Sequence, residues 1–97
     1  MILVTGATGF LGGELLARLL LSDPQERLCV VVRGQRKASA QQRIQSVLKR
    51  GFGEVHLSQL MERVEVVDGD LTLENFGLGE SEFVELAGRT TAIYHCA

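Results

Sequence analysis

Proline is nearly absent from this chain: Pro24 is the only one in 97 residues. Tryptophan is missing altogether, and aromatic residues make up only 5% of the sequence. With 45% hydrophobic and 23% charged residues, this is a globular composition and excludes a disordered or low-complexity chain. No apolar run approaches the roughly 18–20 residues of a membrane-spanning helix. No basic segment leads into an apolar stretch with a small-residue cleavage site, so no secretory leader is read and the expected location is cytoplasmic. Cysteine is limited to Cys29 and Cys96, too few and too far apart for a disulfide framework or a zinc site, and no metal ligands are assigned. Each lies in an apolar run, which suits a buried thiol in a reducing compartment. The length leaves room for one small domain at most. Against these scarcities stand eleven glycines, so some part of the fold needs unusual backbone freedom.

Acidic residues are missing from one stretch. Between Arg33 and Gly53 there are six basic residues (Arg33, Arg36, Lys37, Arg43, Lys49, Arg50) and no carboxylate. The rest of the chain holds four basic and twelve acidic residues, for a net charge of −2. A local basic segment in an acidic chain points to a local anionic partner, not to a nucleic acid. The basic block has no aromatic residue before Phe52, which also argues against a stacking surface for single strands. Lys49 and Arg50 are read as a solvated helix face.

What is present is an alternation of short apolar runs with helical patterns. Ile2-Leu3-Val4 and Leu28 to Val32 read as strands buried on both faces, Val64 to Val67 as a third strand, and Ala92 to Cys96 as a fourth apolar strand with a free edge. Glu14 to Leu21 reads as a helix stopped by Ser22-Asp23-Pro24. Ala38 to Arg50 reads as a second helix, with Ala40, Ile44, Val47 and Leu48 on one stripe and Gly51-Phe52-Gly53 as its stop. Leu57 to Glu62 reads as a short helical turn, and Leu73 to Gly79 as a loop. Ser81 is the expected cap of a last helix through Ala87, closed by Gly88. The order β-α-β-α-β-α-β predicts an α/β, Rossmann-type doubly wound parallel sheet, incomplete at about four strands, in spatial order 3-2-1-4.

The first connection carries the chemistry. Thr5-Gly6-Ala7-Thr8-Gly9-Phe10-Leu11-Gly12 lies between the first strand and the first helix. In that position Gly6 permits a sharp turn, Gly9 lets the backbone approach a pyrophosphate, and Gly12 lets the helix pack closely. Free N–H groups and the positive end of the helix dipole would face the phosphates. The spacing is Gly-x-x-Gly-x-x-Gly, and it resembles the cofactor loop of the extended short-chain dehydrogenases/reductases. The variant Thr-Gly-Ala-Thr-Gly-Phe-Leu-Gly is similar to the subgroup of thioester reductase domains and fatty acyl-CoA reductases. Val31-Val32-Arg33 with Arg43-Ile44, Arg63 to Leu71, Phe76-Gly77-Leu78, Phe83 and Ala92 to Ala97 extend the resemblance over nearly the whole chain.

The cofactor is read at the end of the second strand. An acidic residue about 20 positions past the glycine loop would mark NAD, whereas an arginine there accommodates a 2′-phosphate. This chain has Arg33 at that point, and a guanidinium is the right donor for a phosphate. The resemblance makes Arg43 the second clamp, so the expected cofactor is NADP(H). It also implies that Asp70 accepts from the adenine amino group and that Leu71 covers the ring. An Asp here could instead cap the next turn. His95, at the end of the fourth strand, is assigned no catalytic role.

The resemblance further implies a Tyr-x-x-x-Lys pair, in which the Lys lowers the Tyr pKa for proton exchange with the substrate. Tyr94 is the only tyrosine, and Lys37 and Lys49 are the only lysines, so this chain holds no such pair and no catalytic residue is assigned. The chain is therefore expected to be the amino-terminal portion of a single longer NAD(P)-binding domain. The implied parent is an NADP-dependent oxidoreductase reducing an acyl thioester, carried on CoA or an acyl carrier protein, to an aldehyde or alcohol. A sugar epimerase or dehydratase of the extended short-chain type, or a cofactor-sensing module without chemistry, would share the same first strands.

Overall fold

In the computed structural model, which describes residues 1–96, four parallel strands form one sheet in the order β3-β2-β1-β4. The elements run β1 (Ile2–Thr5), α1 (Phe10–Ser22), β2 (Leu28–Val32), α2 (Ala40–Phe52), α3 (Leu57–Glu62), β3 (Val64–Asp68), a 3₁₀ turn (Glu74–Gly77), α4 (Glu80–Arg89) and β4 (Ala92–His95). The doubly wound order read from the sequence is the observed one. Ala97, which the sequence reading placed at the end of the fourth strand, lies outside the described residues.

Strand alternation divides the apolar residues between two cores. Val4, Leu28, Val30, Val32 and Val64 point to one face and meet Leu16 and Leu20 of α1 and Ile44 and Leu48 of α2. Leu3, Cys29 and Val31 point to the other face and meet Leu86 of α4. β2 is buried along its whole length because it has a strand on each side and helices on both faces. Burial pushes the Cys29 thiol up to about 12, with Glu65 adding to the effect, so it stays protonated at neutral pH.

Several boundaries differ from those expected. α1 begins at Phe10, not Glu14, because Gly9 takes the extended N-cap conformation (φ −79°, ψ 171°) and leaves Phe10 to Gly13 free to wind. α2 begins at Ala40 instead of Ala38. Its N-cap Ser39 accepts from the Gln42 N–H (3.1 Å), while the Gln42 side chain accepts from the Ser39 N–H (2.9 Å). The same helix runs through Gly51 and Phe52 and stops at Gly53 (φ 79°), whose N–H reaches the Lys49 carbonyl at 2.8 Å. α4 starts at Glu80, so Ser81 is not its cap, and it runs through Gly88 to Arg89. Part of the expected loop after β3 winds into the 3₁₀ turn.

β4 is a strand, but its side chains are exposed, Ile93 at 63% and Tyr94 at 41%. Among the described residues only β1 flanks it, so its apolar pattern is not matched by burial. Cys96 falls one residue past β4 and is half-buried, not buried as expected. No helix among the described residues is long and apolar enough to cross a membrane.

Candidate functional site

β1 delivers the chain into a tight turn at the carboxyl edge of the sheet. Gly6 has φ 72°, a conformation that favours glycine, and its carbonyl accepts from the Gly9 N–H at 3.1 Å. The first helical bond of α1 is Gly13 N–H to the Gly9 carbonyl (2.9 Å), so Phe10, Leu11 and Gly12 present first-turn N–H groups ahead of it. The first turn holds no acidic side chain. This end of α1 therefore carries its dipole's positive charge uncompensated.

The later glycines serve different ends. A Cβ on Gly12 would fall 1.9 Å from the Gly6 carbonyl oxygen, so that position must be glycine for α1 to seat on the turn. A Cβ on Gly9 would meet nothing closer than the Gly6 oxygen at 3.5 Å, and Gly9 has ordinary angles. The fold itself therefore does not require glycine at position 9. The missing Cβ keeps open the space in front of the helix terminus.

Beside this turn, Gly6, Ala7, Thr8, Val31, Val32, Arg33, Arg43, Gly69 and Leu71 line a cavity of about 220 Å³. The end of β2 and the start of α2 bring the arginines to it. Arg33 follows β2, and its side chain is 71% exposed. Arg43 projects back from the first turns of α2. Its NH1 donates to the Arg33 carbonyl (2.5 Å) and its NH2 to Thr8 Oγ1 (3.2 Å), tying the glycine turn to the end of β2. Asp68, at the end of β3, accepts from the Gly34 N–H (3.1 Å) and fixes the next residue of the same connection.

Asp70 follows β3 on the rim. Its Oδ1 accepts from the Thr72 N–H (2.9 Å) and the Thr72 hydroxyl (2.6 Å), which is the turn-capping role. Its Oδ2 lies 3.6 Å from Arg33 NH1. The Thr72 donors, with Arg33 adding a smaller effect, hold the Asp70 carboxyl below the usual carboxylate range. The backbone behind it is also held: the Asp70 N–H donates to the Phe76 carbonyl at 2.9 Å.

The predicted residues divide into groups. Gly6, Thr8, Arg33, Arg43 and Leu71 line the cavity together. Gly9 and Phe10 line the adjoining groove between α1 and α2, with Phe10 91% exposed, and Leu11 is exposed beside them. Gly12 is buried under the turn. Thr5 is also buried and lines neither cavity; its hydroxyl lies 2.6 Å from Nδ1 of His95. Arg36 and Lys37 are exposed outside the cavity lining. The sequence reading missed Asp68, Thr72 and the Thr5–His95 contact. Asp68 sits in an apolar strand pattern, and Thr72 carries a local turn signal only in retrospect.

A backbone cradle open at Gly9, an uncompensated helix terminus and two arginines lining the same cavity fit the phosphates of a dinucleotide. No group of three or more metal-ligating side chains occurs among the described residues.

Residues 4–97 match a family model described as male sterility protein, of an NAD-binding group. The chain is 41% identical over 95 residues to isonitrile lipopeptide synthase of Streptomyces coeruleorubidus, covering 97% of this chain and 6% of that protein. It is 31% identical over 100 residues to fatty acyl-CoA reductase 2 of Bos taurus, covering 99% of this chain and 19% of that one. The chain spans less than a fifth of the length of the curated relatives it matches. Among solved structures, it is similar to the terminal R domain of the myxalamid PKS-NRPS pathway, with a TM-score of 0.83 and 35% identity. That likeness covers 99% of this chain and 24% of the other. The reductase domain of a nonribosomal peptide synthetase from Mycobacterium tuberculosis gives a TM-score of 0.77 at 32% identity, covering 99% of this chain and 23% of that one. A UDP-glucuronic acid 4-epimerase from Bacillus cereus shares the fold alone, at 21% identity and a TM-score of 0.55.

Proposed function

The chain belongs to the male sterility protein family of dinucleotide-binding proteins, and we propose that it is the NADP(H)-binding part of a reductase acting on acyl thioesters. The observation that carries the cofactor reading is the convergence of Arg33 and Arg43 with the glycine turn on one cavity. The N–H groups of Phe10, Leu11 and Gly12, in front of the space left by Gly9, would hold the pyrophosphate. Thr5, Gly6 and Thr8 shape that turn. Arg33 and Arg43 would hold the 2′-phosphate, and Asp70 and Leu71 would border the adenine. When bound, the dinucleotide supplies the hydride.

The thioester half of the proposal rests on the relatives, which include fatty acyl-CoA reductases and reductase domains of peptide synthetases. The substrate would then arrive on CoA or on a carrier protein. None of the residues here is given a proton-transfer role. We read the chain as part of a larger dinucleotide-binding domain, as its share of each relative's length suggests. Its two free thiols suit the cytoplasm.

Calorimetric titration with NADP⁺ and NAD⁺ tests the cofactor reading. The parent chain is expected to prefer NADP⁺ by about tenfold or more, the range of a charge-assisted phosphate contact. Arg33→Ala should remove most of that preference while leaving NAD⁺ binding nearly unchanged. A parent without preference, or a variant that keeps it, overturns the assignment. The chain alone is expected to bind without turnover; NADPH oxidation on adding an acyl-CoA would place proton transfer within these residues.

A further inference from the structure

We infer that Asp70 sets nucleotide selectivity through a latch, an ion pair with Arg33 that a 2′-phosphate must open. The inference rests on the cofactor reading above and concerns what holds Arg33 when no phosphate engages it.

Asp70 is the fixed half. Its N–H donates to Phe76, its carbonyl accepts from the Leu73 N–H (3.0 Å), and its Oδ1 accepts twice from Thr72. The backbone that receives it is itself constrained: Asn75 and Phe76 both sit at positive φ (54° and 59°), and the Phe76 ring packs edge-on against Phe83 at 5.7 Å. Only Oδ2 remains, and it faces Arg33.

Arg33 is the movable half. Its carbonyl is pinned by Arg43, which anchors the backbone at the cavity wall. Its guanidinium has Asp70 as its one charged partner among the described residues, and most of the side chain is in solvent. At 3.6 Å and that exposure the pair is weak and easily exchanged. A phosphate in the cavity, with more charge and three acceptor oxygens, would draw the guanidinium away from the single oxygen of Asp70. Each NADP⁺ bound therefore breaks one ion pair, and each NAD⁺ bound leaves it closed.

The test is the ratio of NADP⁺ to NAD⁺ affinity, in which any direct contact of Asp70 with the shared adenosine cancels. Asp70→Asn keeps an oxygen for Thr72 and removes the charge. It is expected to raise the ratio about twofold to fivefold, the range an exposed ion pair supplies. In the Arg33→Ala background the same substitution should leave the ratio unchanged. An equal rise there would mean simple repulsion between carboxylate and phosphate, and would overturn the latch, as would no rise in either background. A second readout uses the parent chain alone: the Arg33 Nε–H resonance should shift with NADP⁺ and stay in place with NAD⁺, and equal shifts would count against the latch. If the chain binds neither nucleotide, the cofactor reading and the latch fall together. If it prefers NADP⁺ through Arg33 but Asp70→Asn changes nothing, the latch alone falls.

Discussion

Thr5 Oγ1 and His95 Nδ1 share a hydrogen bond of 2.6 Å across the register pair that joins β1 to β4 at their carboxyl ends. The contact spans 90 residues of sequence and sits directly before the Gly6 turn. Thr5 is 2% exposed, so its hydroxyl has few other partners. A double-mutant cycle of Thr5→Val and His95→Leu, read by urea unfolding, should give a coupling of about 1 kcal/mol. A coupling near zero would mean that the pair forms without holding the two strands.

Gly9 and Gly12 should separate binding from stability. Gly12→Ala places a Cβ against the Gly6 carbonyl, where only backbone movement can relieve it. Its cost is expected at about 3 kcal/mol or more, above the usual overpacking penalty. Gly9→Ala meets no such contact and keeps allowed angles, so its stability should stay within about 1 kcal/mol of the parent. Its NADP⁺ affinity should nevertheless fall at least tenfold, since the added methyl occupies the pyrophosphate approach. Unfolding and titration on both variants check the split. A Gly9→Ala chain that binds normally would remove the phosphate role from this turn.

These contrasts mark where sequence reading succeeds and where it stops. The strand order was legible because β1 and β2 carry unbroken apolar runs, β3 carries one interrupted only at Glu65, helical patterns separate them, and few topologies accommodate that order. The cavity was legible in outline because Arg33 stands where β2 ends. What could not be read was which bonds each side chain makes. Asp70 has the same letter whether it receives adenine, caps Thr72 or pairs with Arg33, and the structure shows it doing the last two. The helix limits were misread at glycines for a related reason. Gly12, Gly13, Gly51 and Gly88 look like breaks by propensity, yet each lies inside a helix. For Gly12 the overriding term is its close approach to Gly6, which is a tertiary contact.

Arg43 should affect both nucleotides, unlike Arg33. Its guanidinium links the Arg33 carbonyl to Thr8, so Arg43→Ala loosens the turn as well as removing a charge. NAD⁺ affinity is expected to fall about threefold to tenfold and NADP⁺ affinity further, which titration of both would show. If only NADP⁺ binding changes, Arg43 acts as a charge and not as a tie.

Ser39 positions the helix that carries Arg43. The reciprocal Ser39–Gln42 capping box satisfies two backbone donors at the start of α2. Ser39→Ala is expected to cost about 1 kcal/mol in urea unfolding, and Ser39→Asp to restore most of it. Equal losses in both variants would show that the cap bond is not what Ser39 contributes.

The Glu65–Arg89 pair gives the fold a pH dependence of known sign. Arg89 of α4 donates from NH1 and NH2 to the two oxygens of Glu65 on β3, at 2.8 and 3.0 Å, and also contacts Glu85. The Arg89 hydrogen bond holds the Glu65 carboxyl below the usual glutamate range, against a smaller opposing effect of burial. A carboxyl lowered in the folded state favours folding above its unfolded value. That contribution fades as pH falls through the lowered folded value. Arg89 stays charged throughout, so Glu65 is the member of this pair whose titration is expected to set the window. The stability gap between the parent and Arg89→Leu should therefore be present at neutral pH and shrink once pH drops below the usual glutamate range. Both side chains are about 40% exposed, so added salt should narrow the neutral-pH gap as well. A gap that is the same at both pH values would mean that Arg89 holds α4 through contacts other than its pair with Glu65, such as that of its NH1 with Met1 Sδ at 3.6 Å.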